Sequence, residues 1–424
     1  MKSLFTSLAA NVLLAVLAPA QPPRYTVIDL GTLPGGSSSM ANYVSNNRLV
    51  GGNAADAAGT QQSILWAGPF RINLGTPGLN SGIFGINDSG QIAIQAEVPT
   101  KDPNQENFCG YGTGLECIAV LWQRGLTIPL PTLGGHNATI GNINAKGEIP
   151  GVAENSVLAL DCPKGKLPNG NGPQIFNFEP VVWGPKPGTI RELERLPGDT
   201  VGVAIWINDN SQAVGASGTC ANTEPPPFIG GAHAVLWDAD GTPHDLGNLG
   251  GNQGGAGLAI NNKGDVVGAS SKTNGSTLNN GTGAFLWTRA QGIRDLGTLP
   301  GDTASGAVMI NDSGDIVGIS LDASGNARAV VWNNGVIGDL NDLAPTSPLF
   351  LIFPSAINSR GEISGFGATK NGDLHAFLAV PENRRDDRAA QKPEARATLS
   401  EEVRKLIRER MPVSPFGLGP IEPR

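Results

Sequence analysis

Charge is scarce in this chain. Only 16% of its 424 residues are Asp, Glu, Lys or Arg, and aromatic residues make up 5%. What charge there is leans acidic, with a formal net of −8. An acidic surface repels phosphate backbones, so the composition excludes nucleic acid as a partner and disfavours anionic membranes. Apolar runs of membrane-spanning length are lacking beyond the N-terminus, so the mature chain has no membrane span. Histidine, methionine and cysteine number four each. No Gly-x-Ser-x-Gly, His-Glu-x-x-His or Walker loop occurs. His136, His233, His244 and His375 form no cluster in sequence. Nothing calls for a catalytic residue, a cofactor or a metal.

What the chain has in excess is glycine, 59 residues, and proline, 32. Short Val/Ile/Leu runs alternate with Gly, Asn and Asp, the pattern of many short strands joined by tight turns. The first twenty residues stand apart. Lys2, the apolar stretch Leu4 to Leu17, and Ala18-Pro19-Ala20 before Gln21 read as a cleaved signal peptide, 1–20. The expected location is therefore secreted or periplasmic.

One phrase returns along the body. Ile310-Asn311-Asp312-Ser313-Gly314-Asp315-Ile316-Val317-Gly318 is its cleanest copy. Others begin at Ile86, Ile143, Ile207, Ile260 and Ile357. A degenerate first copy, Val44-Ser45-Asn46-Asn47-Arg48-Leu49-Val50-Gly51, reads as one residue shorter. Each phrase is a hairpin: an apolar strand end, a polar turn, a Gly with positive φ, and a second strand. A third strand ends in Trp66, Trp122, Trp183, Trp237, Trp287 or Trp332, and in Leu378-Ala379 in the last copy. A fourth ends in Asp-Leu-Gly, as at Asp245-Leu246-Gly247 and Asp295-Leu296-Gly297.

Four short antiparallel strands every fifty or so residues is the arithmetic of a propeller blade. The chain opens with a fourth strand, Tyr25 to Gly31, that has no blade before it, and its last blade lacks a fourth strand. The expected fold is all-β: a seven-bladed β-propeller over 24–381, of four-stranded antiparallel blades, closed by the N-terminal strand. Closure removes sheet edges that would template aggregation.

His375-Ala376-Phe377-Leu378, His233-Ala234-Val235-Leu236-Trp237 and Gly283-Ala284-Phe285-Leu286-Trp287, with the Asp-Leu-Gly and Ile-Asn-x-x-Gly phrases, resemble the repeat of the HAF family of probable extracellular repeat proteins. The resemblance implies secretion and a repeat fold, and no biochemical activity.

Long insertions fall between strands two and three of blades two, three and four, near 97–116, 154–179 and 217–231. They hold all four cysteines. An even number in an exported chain suggests disulfides. Proximity favours Cys109–Cys117 and Cys162–Cys220, which would stiffen loops with few apolar anchors of their own. After a polar linker, 382–397, an amphipathic helix is expected over 398–411, with Thr398 as its cap and Glu401 as reciprocal partner. A flexible tail, 412–424, follows.

The candidate ligand-binding residues are those that break the repeat. On the long-loop face the links between blades offer His136, Asp199 and Asp302, although the two aspartates share a link position and so suit repeat consensus. Trp206 stands in a first strand where other copies have Gly85, Asn142, Ala259, Met309 and Ala356, and would plug the central channel or stack on a ligand. The function that fits is a monomeric binding or interaction module for an extracellular glycan or protein. The alternatives are a propeller hydrolase or lyase acting on a polysaccharide, and a structural surface protein.

Overall fold

The computed structural model describes residues 23–76, 78–162, 173–223, 231–252, 254–273, 281–382, 398–410, 413–414 and 417–418. The expected signal peptide, 1–20, nearly all of the expected linker and most of the tail lie outside the described residues. The body is a ring of seven four-stranded antiparallel sheets. Blades one to six span 39–73, 81–129, 134–192, 201–245, 255–295 and 304–339. Blade seven takes three strands from 350–381 and its fourth from the N-terminus: Tyr25 pairs with Pro381 and Asp29 with Phe377. Among the described residues no helix is long and apolar enough to cross a membrane.

The asparagine of the repeated phrase does more than form a turn. In blade six, Asn311 Oδ1 accepts the backbone N–H groups of Ser313 and Asp315, each at 3.0 Å. Its Nδ2 donates to the Asp315 carboxylate at 3.2 Å and to the Asn358 carbonyl of blade seven at 3.1 Å. The cross-blade bond recurs from Asn87 to Asn144, Asn144 to Asn208, Asn208 to Asn261, Asn261 to Asn311, and Asn358 to Ser45. The result is a girdle of buried amides around the channel, each satisfied as a buried amide must be.

Blade one departs from the pattern. Ser45 takes the asparagine's place, and its hydroxyl accepts from the Leu49 N–H at 3.0 Å. Among the described residues it makes no bond to Asn87. The first copy is not a residue short, contrary to the sequence reading. Arg48, at φ 62°, occupies the glycine position, as Ser211 does at φ 65° in blade four. The Arg48 side chain crosses to the buried Glu362 of blade seven, which ties the seam of the ring.

The glycine of strand two has a different cause. A β-bulge in strand one pushes a carbonyl toward it. A Cβ on Gly318 would stand 2.0 Å from the Gly306 oxygen, and one on Gly215 1.9 Å from the Val203 oxygen. Only glycine tolerates such an approach. The third-strand tryptophans pack between blades. Trp183, Trp237 and Trp332 are buried, and their indole N–H groups donate to carbonyls of the preceding blade, Pro131, Glu194 and Leu296.

Both disulfides form, Cys109–Cys117 and Cys162–Cys220, with Cα separations of 5.3 and 4.8 Å. The loops are better anchored than their composition suggests. The four cysteines share a small core with Phe108, Phe178 and Val201. In blade five, residues 272–281 separate strand two from strand three, and 274–280 lie outside the described residues.

The C-terminal helix spans Glu401–Arg410. Its cap is Ser400, whose hydroxyl accepts the Val403 N–H at 3.3 Å, and not Thr398. Ser400 wins because its oxygen sits within reach of the third helical N–H, which defines an N-cap. Ile407 inserts between blades six and seven beside Phe350 and Ile352, and Arg404 lies over the Phe350 ring at 5.0 Å.

Candidate functional site

The link aspartates occupy equivalent structural triads. Asp302 receives Arg328 at 2.7 Å, and Arg328 also reaches Asp339, at 3.4 Å. Asp199 accepts the Ser217 hydroxyl and lies 3.9 Å from His233, which pairs with Asp245 at 3.2 Å. Each joins a blade's link, third strand and fourth strand. The triad also explains why the His-Ala-Phe and Asp-Leu-Gly phrases travel together. In blade seven His375 pairs with Asp29 of the closing strand at 2.9 Å, and in blade five Lys272 supplies the cation to Asp295 at 2.7 Å. Burial would raise the Asp29 pKa, but His375, the Gly31 N–H and Arg71 outweigh it and hold the carboxyl below its ordinary value. Asp199 and Asp302 belong to blades four and six and are not brought together.

His136 sits on the same face, paired with Glu116 at 3.3 Å and with its ring 6.1 Å from Phe176. Behind it is a buried acidic knot. The Asn137 amide donates to Asp102 at 2.8 Å, Glu154 at 3.0 Å and Glu106 at 3.3 Å. Glu106 and Glu154 are fully buried and bonded to each other, and both titrate above the ordinary range. Burial is the main cause, followed for Glu154 by the neighbouring Glu106 charge. One carboxyl of the pair therefore keeps its proton near neutrality. Among the described residues no group of three side chains is arranged to hold a metal ion.

A cavity lies on the opposite face, at the mouth of the channel among the turns between strands one and two. Its volume is about 160 Å³. Trp206 lines it, as the break in the repeat suggested. Tyr43 of blade one meets it across the channel, with ring centroids 5.8 Å apart and planes inclined by 26°. The stacked pair blocks the channel beneath the cavity. Asn142 and Met309 are the other large groups of this layer. Tyr43 stands just before Val44, as Trp206 stands before Ile207, but the degenerate first copy was left out when this position was compared between blades.

The rim comes from the residue after each girdle asparagine. Asp209 accepts the Ala145 N–H at 2.8 Å, and Asp312 accepts the Asn262 N–H at 2.8 Å. The Asn262 amide bridges Asp209 and Asp312 at 2.9 and 3.0 Å. Asp88 completes the acidic lining, which includes no lysine or arginine. Burial first, then the charges of Asp88 and Asp209, push the Tyr43 hydroxyl above its ordinary pKa, so it stays a donor. Among the described residues neither that hydroxyl nor the Trp206 indole N–H has a protein partner, whereas the indoles of Trp183, Trp237 and Trp332 do.

Fold and cavity together define a closed seven-bladed β-propeller with a polar cup at one end of its channel. No protein-family model matches the chain, and no curated protein matches it. Solved propellers do. Virginiamycin B lyase from Staphylococcus aureus is 10% identical, over 84% of this chain and 99% of its own, at TM-score 0.48. The β-propeller domain of the trilobed protease from Pyrococcus furiosus is 9% identical, over 85% and 96%, also at 0.48. Acylaminoacyl peptidase from Pyrococcus horikoshii is 11% identical, over 82% of this chain and 52% of its own, at 0.49. At such identities the likeness is one of fold, and those activities belong to those proteins.

Proposed function

We propose that the chain is an exported binding module of the HAF repeat type, acting outside the cytoplasm on a glycan or protein ligand through the channel mouth. One observation carries this reading. The channel layer just before the asparagine girdle departs from the repeat at Tyr43, Asn142, Trp206 and Met309, and these residues line the cavity at the channel mouth. Repeated residues build blades, whereas a departure confined to a cavity suits one ligand. Two disulfides accord with an oxidising compartment.

A polysaccharide hydrolase would need a protonated carboxyl beside a carboxylate. Asp209 and Asp312 each accept two N–H bonds, which hold the turns of the rim together. That arrangement suits a binding rim. The test is a glycan array with a parallel capture of secreted proteins, using wild type and Trp206→Leu. Binding that Trp206→Leu removes is expected. Release of sugar from polysaccharide, or binding that ignores the substitution, would contradict the reading.

A further inference from the structure

The cavity's volume, about 160 Å³, is close to that of cavities which admit one six-membered ring. Its surfaces are of two kinds. The floor is aromatic, the Trp206–Tyr43 pair, with an unpaired indole N–H and an unpaired hydroxyl. The rim is made of acceptors, the Asp88, Asp209 and Asp312 carboxylates, interleaved with the amide of Asn262.

An apolar ring would leave these polar groups dehydrated and unpaired, at a cost of kilocalories for each. Among the described residues no three ligating side chains are grouped to hold a metal ion. An anionic ring would meet three carboxylates with no lysine or arginine to offset them. What remains is a ring with C–H faces to lie against aromatic carbon and hydroxyls to donate to carboxylates.

We infer that the channel mouth binds one pyranose-sized ring, either neutral or amino-substituted, and rejects uronic acids. This inference rests on the proposed binding role and specifies the ligand of that same site. The hydroxyls donate to Asp209 and Asp312, and the ring's less polar face rests on Trp206. Hydroxyl groups at the edge of the sugar are left to accept from the Trp206 N–H and the Tyr43 hydroxyl. Because the stacked pair closes the channel below, one sugar unit fits, so the ligand is the end of a glycan and not an internal stretch.

Saturation-transfer NMR on the full chain tests this. The probes are methyl pyranosides of glucose, galactose and mannose, then glucosamine and glucuronate. The expected result is transfer to at least one neutral or amino sugar at millimolar concentration, weakened about tenfold or more in Trp206→Leu and in the near-isosteric Asp209→Asn, with no transfer to glucuronate. Circular dichroism confirms that both variants fold. Glucuronate binding equal to the neutral sugars overturns the inference, as does sugar binding that neither variant affects. If no probe binds but a glycan or protein from the array depends on Trp206, the inference fails and the binding role stands. If nothing depends on Trp206, both fail.

Discussion

Asn311 illustrates how much one residue of the repeat supports. Its side chain makes four hydrogen bonds, one of them to the next blade. Asn311→Ala should destabilise the protein by about 2–3 kcal/mol in denaturant melts, since buried bonding groups are left unpaired. The complementary change is Ser45→Asn, which supplies the absent link between blades one and two. It should stabilise by about 1 kcal/mol, one net buried hydrogen bond. The turn role of the asparagine was legible, because Ile-Asn-x-x-Gly is local chemistry. Its cross-blade role was not, because a repeat's sequence specifies a blade and leaves blade-to-blade contacts implicit. Trp206 was legible as a residue that breaks pattern. Its partner Tyr43 stands at the same position of blade one, whose copy is degenerate, with Ser45 for asparagine and Arg48 at the glycine place, and so was not compared with the others.

At the scale of elements, the long loops of blades two and three are joined by the buried acidic knot. The sign of its pH dependence follows from the shifts. Glu106, Glu154 and Glu179 all have folded pKa values raised above 4.5. For Glu179 burial outweighs the Arg195 guanidinium and lifts the value to about 7. The native state thus binds more protons than the unfolded state. The stabilisation is complete below 4.5 and is lost as pH rises through 7 and into the alkaline range, where the Glu106–Glu154 pair gives up its shared proton. Thermal melts should show a midpoint that falls steadily from pH 5 to pH 9. Glu154→Gln should flatten most of that slope, and an unchanged slope would place the titration elsewhere. The disulfide pairing was readable from loop order, since neighbouring blades must bring their insertions together. The shared core of Phe108 and Phe178 was not, because isolated aromatics in a polar loop carry no periodic signal.

The whole molecule is held by closure as much as by its blades. The strand Tyr25–Gly31 donates the fourth strand of blade seven, and Tyr25 is buried there. Deleting residues 24–31 should expose a sheet edge and lower the melting temperature by 10 °C or more, with aggregation on heating. Ring closure was legible because an orphan fourth strand at one end matched a missing one at the other. The face that carries the cavity was not. Long loops drew attention to the opposite side, where Asp199 and Asp302 proved to be members of repeated triads. The space between seven inner strands depends on side chains from every blade at once. The most direct measurement is a crystal structure of the protein soaked with a glycan or sugar that binds it. Density seated on Trp206 and Tyr43, within hydrogen-bond distance of Asp209 and Asp312, is the predicted result. Density on the long-loop face, with the channel mouth unchanged, would contradict it.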